Sequence, residues 1–365
     1  MAGAIGVVVV GAGAIGRTHI DTLARMADLR LSALVDPMPA GRALAEKLGV
    51  PCFADVSALI ESGLAQAAIV ATPNETHLPV SETLLRAGLP VLLEKPVAES
   101  LVSALRLIAV ADETGVPLLV GHHRRHNPII RAAHQAIHAG RIGDLVMATV
   151  TCSLAKPPSY FEAAWRRAPG AGGPLLINLV HEIDLLRHFF GEIASVQAIA
   201  SHGRRGFAVE DTAAVCLTFA AGGLATLCIS DAAVGPWAWD LSAGENMARF
   251  PAHKVSAHHY AGSRAGLSLP DLTLWQPPAD PDWTRELRPE TLPVTHADPY
   301  EAQLDHFADL IRNGGVPRVS GRDATANLLV LDAIRAAAET GQSVAVDLSP
   351  LTADSGTVFN NGNGP

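Results

Sequence analysis

The residues of this chain best suited to chemistry begin near its start, where Val7–Val10 run directly into Gly11-Ala12-Gly13-Ala14-Ile15-Gly16. A glycine-rich turn between a strand and a helix can wrap a pyrophosphate. Gly11 permits the tight turn and Gly13 lets the backbone approach the anion. Gly16 lets helix and strand pack, with Ala14 and Ile15 opening a helix whose free N–H groups face the charge. Asp36 stands twenty residues after Gly16, at the end of the next apolar run. A carboxylate there accepts hydrogen bonds from the adenosine ribose hydroxyls and repels a 2′-phosphate, which favours NAD over NADP. Arg42 is the nearby cation that keeps NADP open. The competing reading is a glycine turn capped by a structural aspartate.

A later apolar run, Val91–Leu93, ends in Glu94-Lys95-Pro96. Ligands of doubly wound sheets bind beyond the carboxyl ends of the strands, so Lys95 is expected to point into the cofactor crevice. Pairing with Glu94 on the surface is the alternative. His122-His123-Arg124-Arg125-His126 raises the question of a metal, as do His253, His258 and His259 among the fifteen histidines. Carboxylate or cysteine partners at ligand spacing are lacking and adjacent arginines repel cations, so no metal is expected.

These side chains need elements to hold them. Strand runs at Ile5–Val10, Leu31–Val35, Ala67–Ala71, Val91–Leu93 and Leu118–Val120 alternate with amphipathic helical patterns up to Thr114. That alternation predicts right-handed βαβ crossovers and a doubly wound parallel sheet, an α/β Rossmann domain. From His122 the texture changes. A helix near Ile129–Ala139 leads into a strand, Leu145–Ser153, then a Pro/Gly-rich loop, Lys156–Pro174, and a helix near Leu175–Phe190; strands at Ser195–Ala200, Thr212–Phe219 and Leu224–Ser230 follow. Ala220-Ala221-Gly222-Gly223 reads as the hairpin turn between the last two. Extended pieces are expected at Trp237–Ser242, Gly266–Trp275 and Leu287–Thr295, with closing helices over Tyr300–Asn313 and Asp323–Thr340. The expected division is a cofactor domain over 1–121, an α+β domain with a large, mostly antiparallel open-faced sheet over 122–350, and a disordered tail over 351–365.

Composition narrows the classes. The 365 residues carry 27 basic and 36 acidic side chains, a net charge of −9, and so lack the basic face that nucleic acid requires. At 48% hydrophobic and 17% charged the chain is no disordered polyelectrolyte. No apolar run reaches the roughly 18 residues of a membrane helix, and the opening residues read as a strand rather than a signal peptide. Four widely spaced cysteines suit reduced thiols, which points to the cytoplasm.

In order along the chain, the motifs resemble the glucose–fructose oxidoreductase / inositol dehydrogenase (Gfo/Idh/MocA) family from Val7 to about Val346. The resemblance rests on Gly11–Gly16 with Arg17 and His19, Ala71-Thr72-Pro73-Asn74-Glu75-Thr76-His77 and Glu94-Lys95-Pro96. It continues through Gly121–Pro128, Gly172-Gly173-Pro174, His181-Glu182-Ile183-Asp184, Glu210-Asp211-Thr212 and Ala336–Val346. The family resemblance implies a two-domain NAD(P)-dependent oxidoreductase in which a secondary alcohol of a sugar or cyclitol gives hydride to nicotinamide. It also implies that Lys95 and a helical histidine, His181, form the catalytic pair. The family's aspartate four residues before that histidine falls here on Ile177, with Asn178 beside it. Asn178 and His181, three apart on a helix, would both reach substrate, but an amide hydrogen-bonds a hydroxyl without taking its proton. A histidine suits the general base and an adjacent ammonium suits the developing alkoxide.

Ala71, Thr72, Pro73, Asn74, His77 and Glu94 are expected on the cofactor side. His122, His123, Arg124, His126, Tyr160, Trp165, Arg166 and Asp184 are candidates to face substrate, Asp184 alternatively orienting its neighbours, while Glu182 is expected in solvent. Trp237 and Trp239 would share one face of a strand, against a sugar ring or in a subunit contact. Arg124, Arg125, Arg166 and Arg167 would suit an acidic substrate, such as a sugar acid or a carboxylated cyclic cis-diol. A redox-neutral enzyme with tightly held NAD, and a non-catalytic NAD-sensing protein, remain alternatives. The open sheet suggests a homodimer or homotetramer.

Overall fold

The computed structural model describes residues 3–352. The tail expected from residue 351 therefore lies, apart from Leu351 and Thr352 in a short helix, outside the described residues. Among those described, no helix is long and apolar enough to cross a membrane.

Six parallel strands form the first sheet: β1 (Ile5–Val10), β2 (Leu29–Val35), β3 (Cys52–Phe53), β4 (Ala67–Val70), β5 (Val91–Leu93) and β6 (Leu118–Val120). Their order is β3-β2-β1-β4-β5-β6. The winding reverses between β1 and β4, opening a crevice at the carboxyl ends of those two strands. Runs of Val, Leu and Ala bury β1, β4, β5 and the edge strand β6 on both faces. The two-residue β3 escaped the sequence reading because it is too short to show a period.

The second sheet has nine strands: β7 (Leu145–Ser153), β8 (Ile193–Ser201), β9 (Thr212–Phe219), β10 (Leu224–Ser230), β11 (His258–Gly262), β12 (Gly266–Leu269), β13 (Thr273–Gln276), β14 (Arg288–Thr291) and β15 (Val344–Ala345). All its pairings are antiparallel except β7 with β10. Burial alternates along β9 and β10. The inner residues pack under helices Pro128–His138, Val180–Phe190 and Gly321–Thr340, while Met147, Ile199, Leu224 and Trp275 stand exposed on the outer face. Gly222 and Gly223 adopt the positive φ that the expected hairpin turn needs.

Two expectations change. Gly266–Trp275 is two strands, with the chain turning at Asp271–Leu272. Trp237–Ser242 is not a strand; Trp239 begins a short helix and is fully buried, while Trp237 is exposed, so the two indoles share no face. Leu304, Phe307, Leu310 and Leu328 of the closing helices pack into the core of the first sheet.

A buried ion-pair network joins the two sheets. After β6 a tight turn, His123–His126, carries Arg124 and Arg125. Arg124 donates to Glu182 at 2.8 Å and Asp240 at 3.0 Å. Arg125 grips Asp184 through two nitrogens at 2.7 and 2.8 Å and reaches Asp323 at 2.6 Å. His258 lies 3.1 Å from Glu182, and Asn327 donates to Asp184 at 2.8 Å. Glu182 is thus buried, not solvated, and Arg124 and Asp184 are consumed in structural pairs rather than offered to a substrate. An unpaired charge at such depth is costly, so each arginine dictates where its carboxylate must sit.

Burial pushes the Glu182 carboxyl up, but Arg124 and His258 more than offset it and hold it down at about 2. A depressed carboxylate contributes stability that is complete above its unfolded value, about 4.3, and lost as pH falls toward the folded value. Glu182→Gln is therefore expected to lower stability at neutral pH by about 3 kcal/mol and to flatten the acid limb of a urea-unfolding pH series. An unchanged acid limb would show that the pair carries no such linkage.

Candidate functional site

The glycine turn sits where β1 meets the helix Ala14–Leu23. Gly11 has φ +92°, and a side chain there would lie 2.6 Å from the Ala71 carbonyl oxygen. At Gly16 it would lie 1.9 Å from the oxygen of Gly11, so both glycines are sterically required. Gly13 instead faces open space and caps the helix with no side-chain hydrogen bond, leaving the N–H groups of Ala14 and Ile15 at an uncovered helix start. That is a cradle a pyrophosphate fits. Asp36 accepts from the N–H groups of Ala12 and Met38, both at 2.8 Å, which aims its carboxylate across the mouth of the turn. Gly41 packs so closely on Asp36 that a Cβ would stand 2.4 Å from the aspartate's own.

Across the crevice, Ala71, Thr72, Pro73 and Asn74 follow β4, and the Thr72 hydroxyl is buried without a partner. His77 does not line the crevice. Its ring is buried, Nδ1 lying 2.8 Å from the Pro96 carbonyl and Nε2 3.0 Å from that of Thr72, so it ties two crevice loops together. Glu94 is likewise taken up beneath the crevice, 2.7 Å from His19. Burial pushes its carboxyl up, but His19 and Lys95 pull harder and hold it below its ordinary range.

Lys95, just past β5, donates to the carbonyl of Ile177 at 3.1 Å. The expected helix Leu175–Phe190 is regular only from Val180; Leu175–Leu179 form a wider π turn, a feature frequent at functional sites. Ile177, which brings no carboxylate, thus brings a backbone oxygen. Asn178 is turned toward a residue that the sequence reading passed over: Lys156, after β7, donates to Asn178 Oδ1 at 2.6 Å and lies over the Tyr160 ring at 4.5 Å. Burial lowers Lys156 to about 8, helped by Lys95 and opposed by Asp231, Cys152 and Asp240. Lys95 is lowered too, chiefly by burial. The signal that would have found Lys156 is scarcity, since only four of the 27 basic residues are lysines and two of them meet here.

His181 completes the cluster. Its ring is buried, with Nδ1 unpartnered among the described residues, and it stands edge-on to His123 at 5.5 Å. Burial, aided by Lys95 and Arg124, pulls it well below the ordinary imidazole range, so the ring is neutral. His123 is positioned by stacking on Tyr300 at 4.5 Å and by Glu245 at 3.5 Å; neither Tyr300 nor Glu245 was foreseen. Trp165 is exposed on the loop and stacks against Arg166, whose guanidinium also lies 3.9 Å over Tyr160. His122 and His126 are buried: His122 stands edge-on to His181 at 6.2 Å and 3.6 Å from Asp184, while His126 packs against His306.

Residues 5–122 match the family described as "Oxidoreductase family, NAD-binding Rossmann fold", 130–246 the GFO/IDH/MocA C-terminal domain, and 254–346 the oxidoreductase family's C-terminal alpha/beta domain. An inositol 2-dehydrogenase of Rhizobium meliloti is 27% identical over 342 residues, covering 91% of this chain and 97% of its own. A 1,5-anhydro-D-fructose reductase of Ensifer adhaerens is 30% identical over 84% of this chain and 88% of its own. The WlbA dehydrogenase of Bordetella pertussis, solved with NADH and UDP-GlcNAcA, shares the fold with a TM-score of 0.76 at 24% identity, covering 94% and 99% of the two chains. With a glycine cradle, a lysine and a histidine gathered at one crevice and all three segments matched in order, the chain belongs to the GFO/IDH/MocA family of NAD-binding oxidoreductases.

Proposed function

We propose that this enzyme is an NAD-dependent dehydrogenase of a secondary alcohol in a sugar, cyclitol or related polyol or sugar acid. The observation that carries this is Lys95, at the carboxyl end of a cofactor-sheet strand, reaching the Ile177 carbonyl at 3.1 Å, four residues before the buried His181. The named activities of the relatives, on inositol and on 1,5-anhydro-D-fructose, support the substrate class. Bound NAD supplies the hydride acceptor. The chain's own residues supply the proton chemistry. His181, kept neutral by burial, takes the hydroxyl proton, and the Lys95 ammonium stabilises the alkoxide that forms. The Ile177 carbonyl holds that ammonium in place, an orienting part that the family's aspartate would otherwise play. Asp36 selects NAD: its carboxylate faces the ribose position, where a 2′-phosphate would meet like charge. Arg42 is exposed on the following helix. The uncovered outer face of the second sheet, with Met147, Ile199, Leu224 and Trp275, is the surface through which we expect a homodimer or homotetramer to form.

A screen over sugars, cyclitols, aldonates and cis-diols tests the reading. With any substrate so found, Lys95→Ala and His181→Asn are each expected to lower kcat by about 10²–10⁴-fold while NADH affinity, read by fluorescence titration, stays within about twofold. Normal turnover in Lys95→Ala would sink the assignment. Asp36→Asn removes the negative charge and keeps one oxygen for the turn. The NAD-to-NADP ratio of kcat/KM should fall about tenfold or more in it, and a ratio that does not move places cofactor choice elsewhere.

A further inference from the structure

Lys95 and Lys156 are both drawn toward the turn Ile177–Asn178, and among the described residues neither has a carboxylate at ion-pair distance. Lys95 meets a backbone carbonyl, and Lys156 meets an amide oxygen, the Tyr160 hydroxyl at 3.4 Å and the face of that ring. The nearby acids are already committed. Asp231 pairs with Arg205 at 2.6 Å, Asp240 with Arg124 at 3.0 Å, and Glu94 lies against His19 at 2.7 Å. Two partly buried ammonium groups therefore meet one turn with no carboxylate at ion-pair distance. An uncompensated buried charge is costly, and a ligand that brings the opposite charge removes that cost on binding. Only one of the two is needed for the alkoxide. Asn178 has its carbonyl oxygen committed to Lys156, which leaves its NH₂ group to donate. An ammonium and an amide N–H side by side match the two oxygens of a planar carboxylate. A phosphate is the poorer match: of the arginine forks that suit it, Arg124 is occupied by Glu182 and Asp240, and one nitrogen of Arg166 is already given to the Tyr160 backbone oxygen at 2.5 Å.

We propose that Lys156 and Asn178 form a carboxylate subsite beside the reacting centre, and that the substrate is a hydroxy acid whose carboxylate lies close to the carbinol that is oxidised. The proposal rests on the dehydrogenase reading above, with Lys95 and His181 serving the carbinol and Lys156 serving the acid. Lys156 is here a specificity-determining residue, and its charge is what selects the substrate.

The test uses the whole enzyme loaded with NADH and a panel of acids, each beside its neutral amide: D-gluconate, D-glucuronate and quinate, with D-glucose 6-phosphate as the phosphate probe. Binding is read by calorimetry and by NADH fluorescence. At least one acid is expected to bind about 10- to 100-fold more tightly than its amide and more tightly than the phosphate, the range of a charge-assisted hydrogen bond. Lys156→Met and Lys156→Gln should each abolish that preference. Retained NADH affinity certifies that both variants are folded. Equal binding of acids and amides across the panel, a stronger response to the phosphate, or an acid preference that survives in both variants would overturn the subsite. The two readings fail separately. Lys156-dependent acid binding with no NADH formed from NAD and any alcohol overturns the dehydrogenase and keeps the subsite. Lys95-dependent turnover of neutral polyols, with acid and amide bound alike, does the reverse.

Discussion

The pairing of two adjacent arginines with two carboxylates of one helix is the constraint on which the rest of this structure depends. Arg124 and Arg125 follow the last strand of the cofactor sheet, and Glu182 and Asp184 follow His181 on the helix that covers the second sheet. Charges at such depth tolerate no vacancy and little slack, so the pairs register one sheet against the other. Asp323 and Asn327 extend the same lock to the long closing helix, which also packs into the first sheet's core. Lys95 follows a strand of the first sheet and His181 lies on the helix packed on the second, and this lock brings the histidine's helix to the lysine.

That arrangement also sets the electrostatics of the cleft. Of the four arginines that a reader of the sequence would assign to an acidic ligand, Arg124 and Arg125 are neutralised by the protein's own carboxylates, whereas Arg166 lies over Tyr160 and Arg167 over Phe207. The cations that meet the turn before His181 are Lys95 and Lys156, single-point donors whose charge depends on surroundings, unlike the permanently charged guanidinium. Burial lowers both Lys95 and Lys156, and the neutral oxygens of Ile177 and Asn178 hold them without cancelling them. The site is thus cationic around a neutral imidazole, a poise that favours removing a proton and retaining the resulting anion.

Much of this was legible beforehand, for local reasons. Valine runs buried on both faces, a strand emptying into Gly11–Gly16, and an aspartate at the end of the next strand are patterns within a few residues or one βαβ unit. The period-two alternation of Thr212–Phe219 and Leu224–Ser230 likewise announced an open antiparallel sheet with one wet face. Where such signals were weak the reading slipped. Trp237 and Trp239 looked like a strand face, yet the chain coils at Trp239 to bury the indole near Arg124, at 5.7 Å. His77 looked like a crevice residue, yet its ring bridges two carbonyls behind the crevice wall.

By itself, then, the sequence determined the two sheets, the nucleotide turn, the position of Lys95 at a strand's carboxyl end and the loss of a carboxylate at Ile177. All of these are set by steric and periodic rules that act over short stretches. Only the tertiary structure decided what each charge is for. Arg124 meets a carboxylate 58 residues away, Arg125 one that is 198 away, and Lys156 an amide 22 away across a loop. A charged side chain is a binding group when nothing neutralises it and a rivet when something does. Which of the two it becomes depends on partners that no local pattern names.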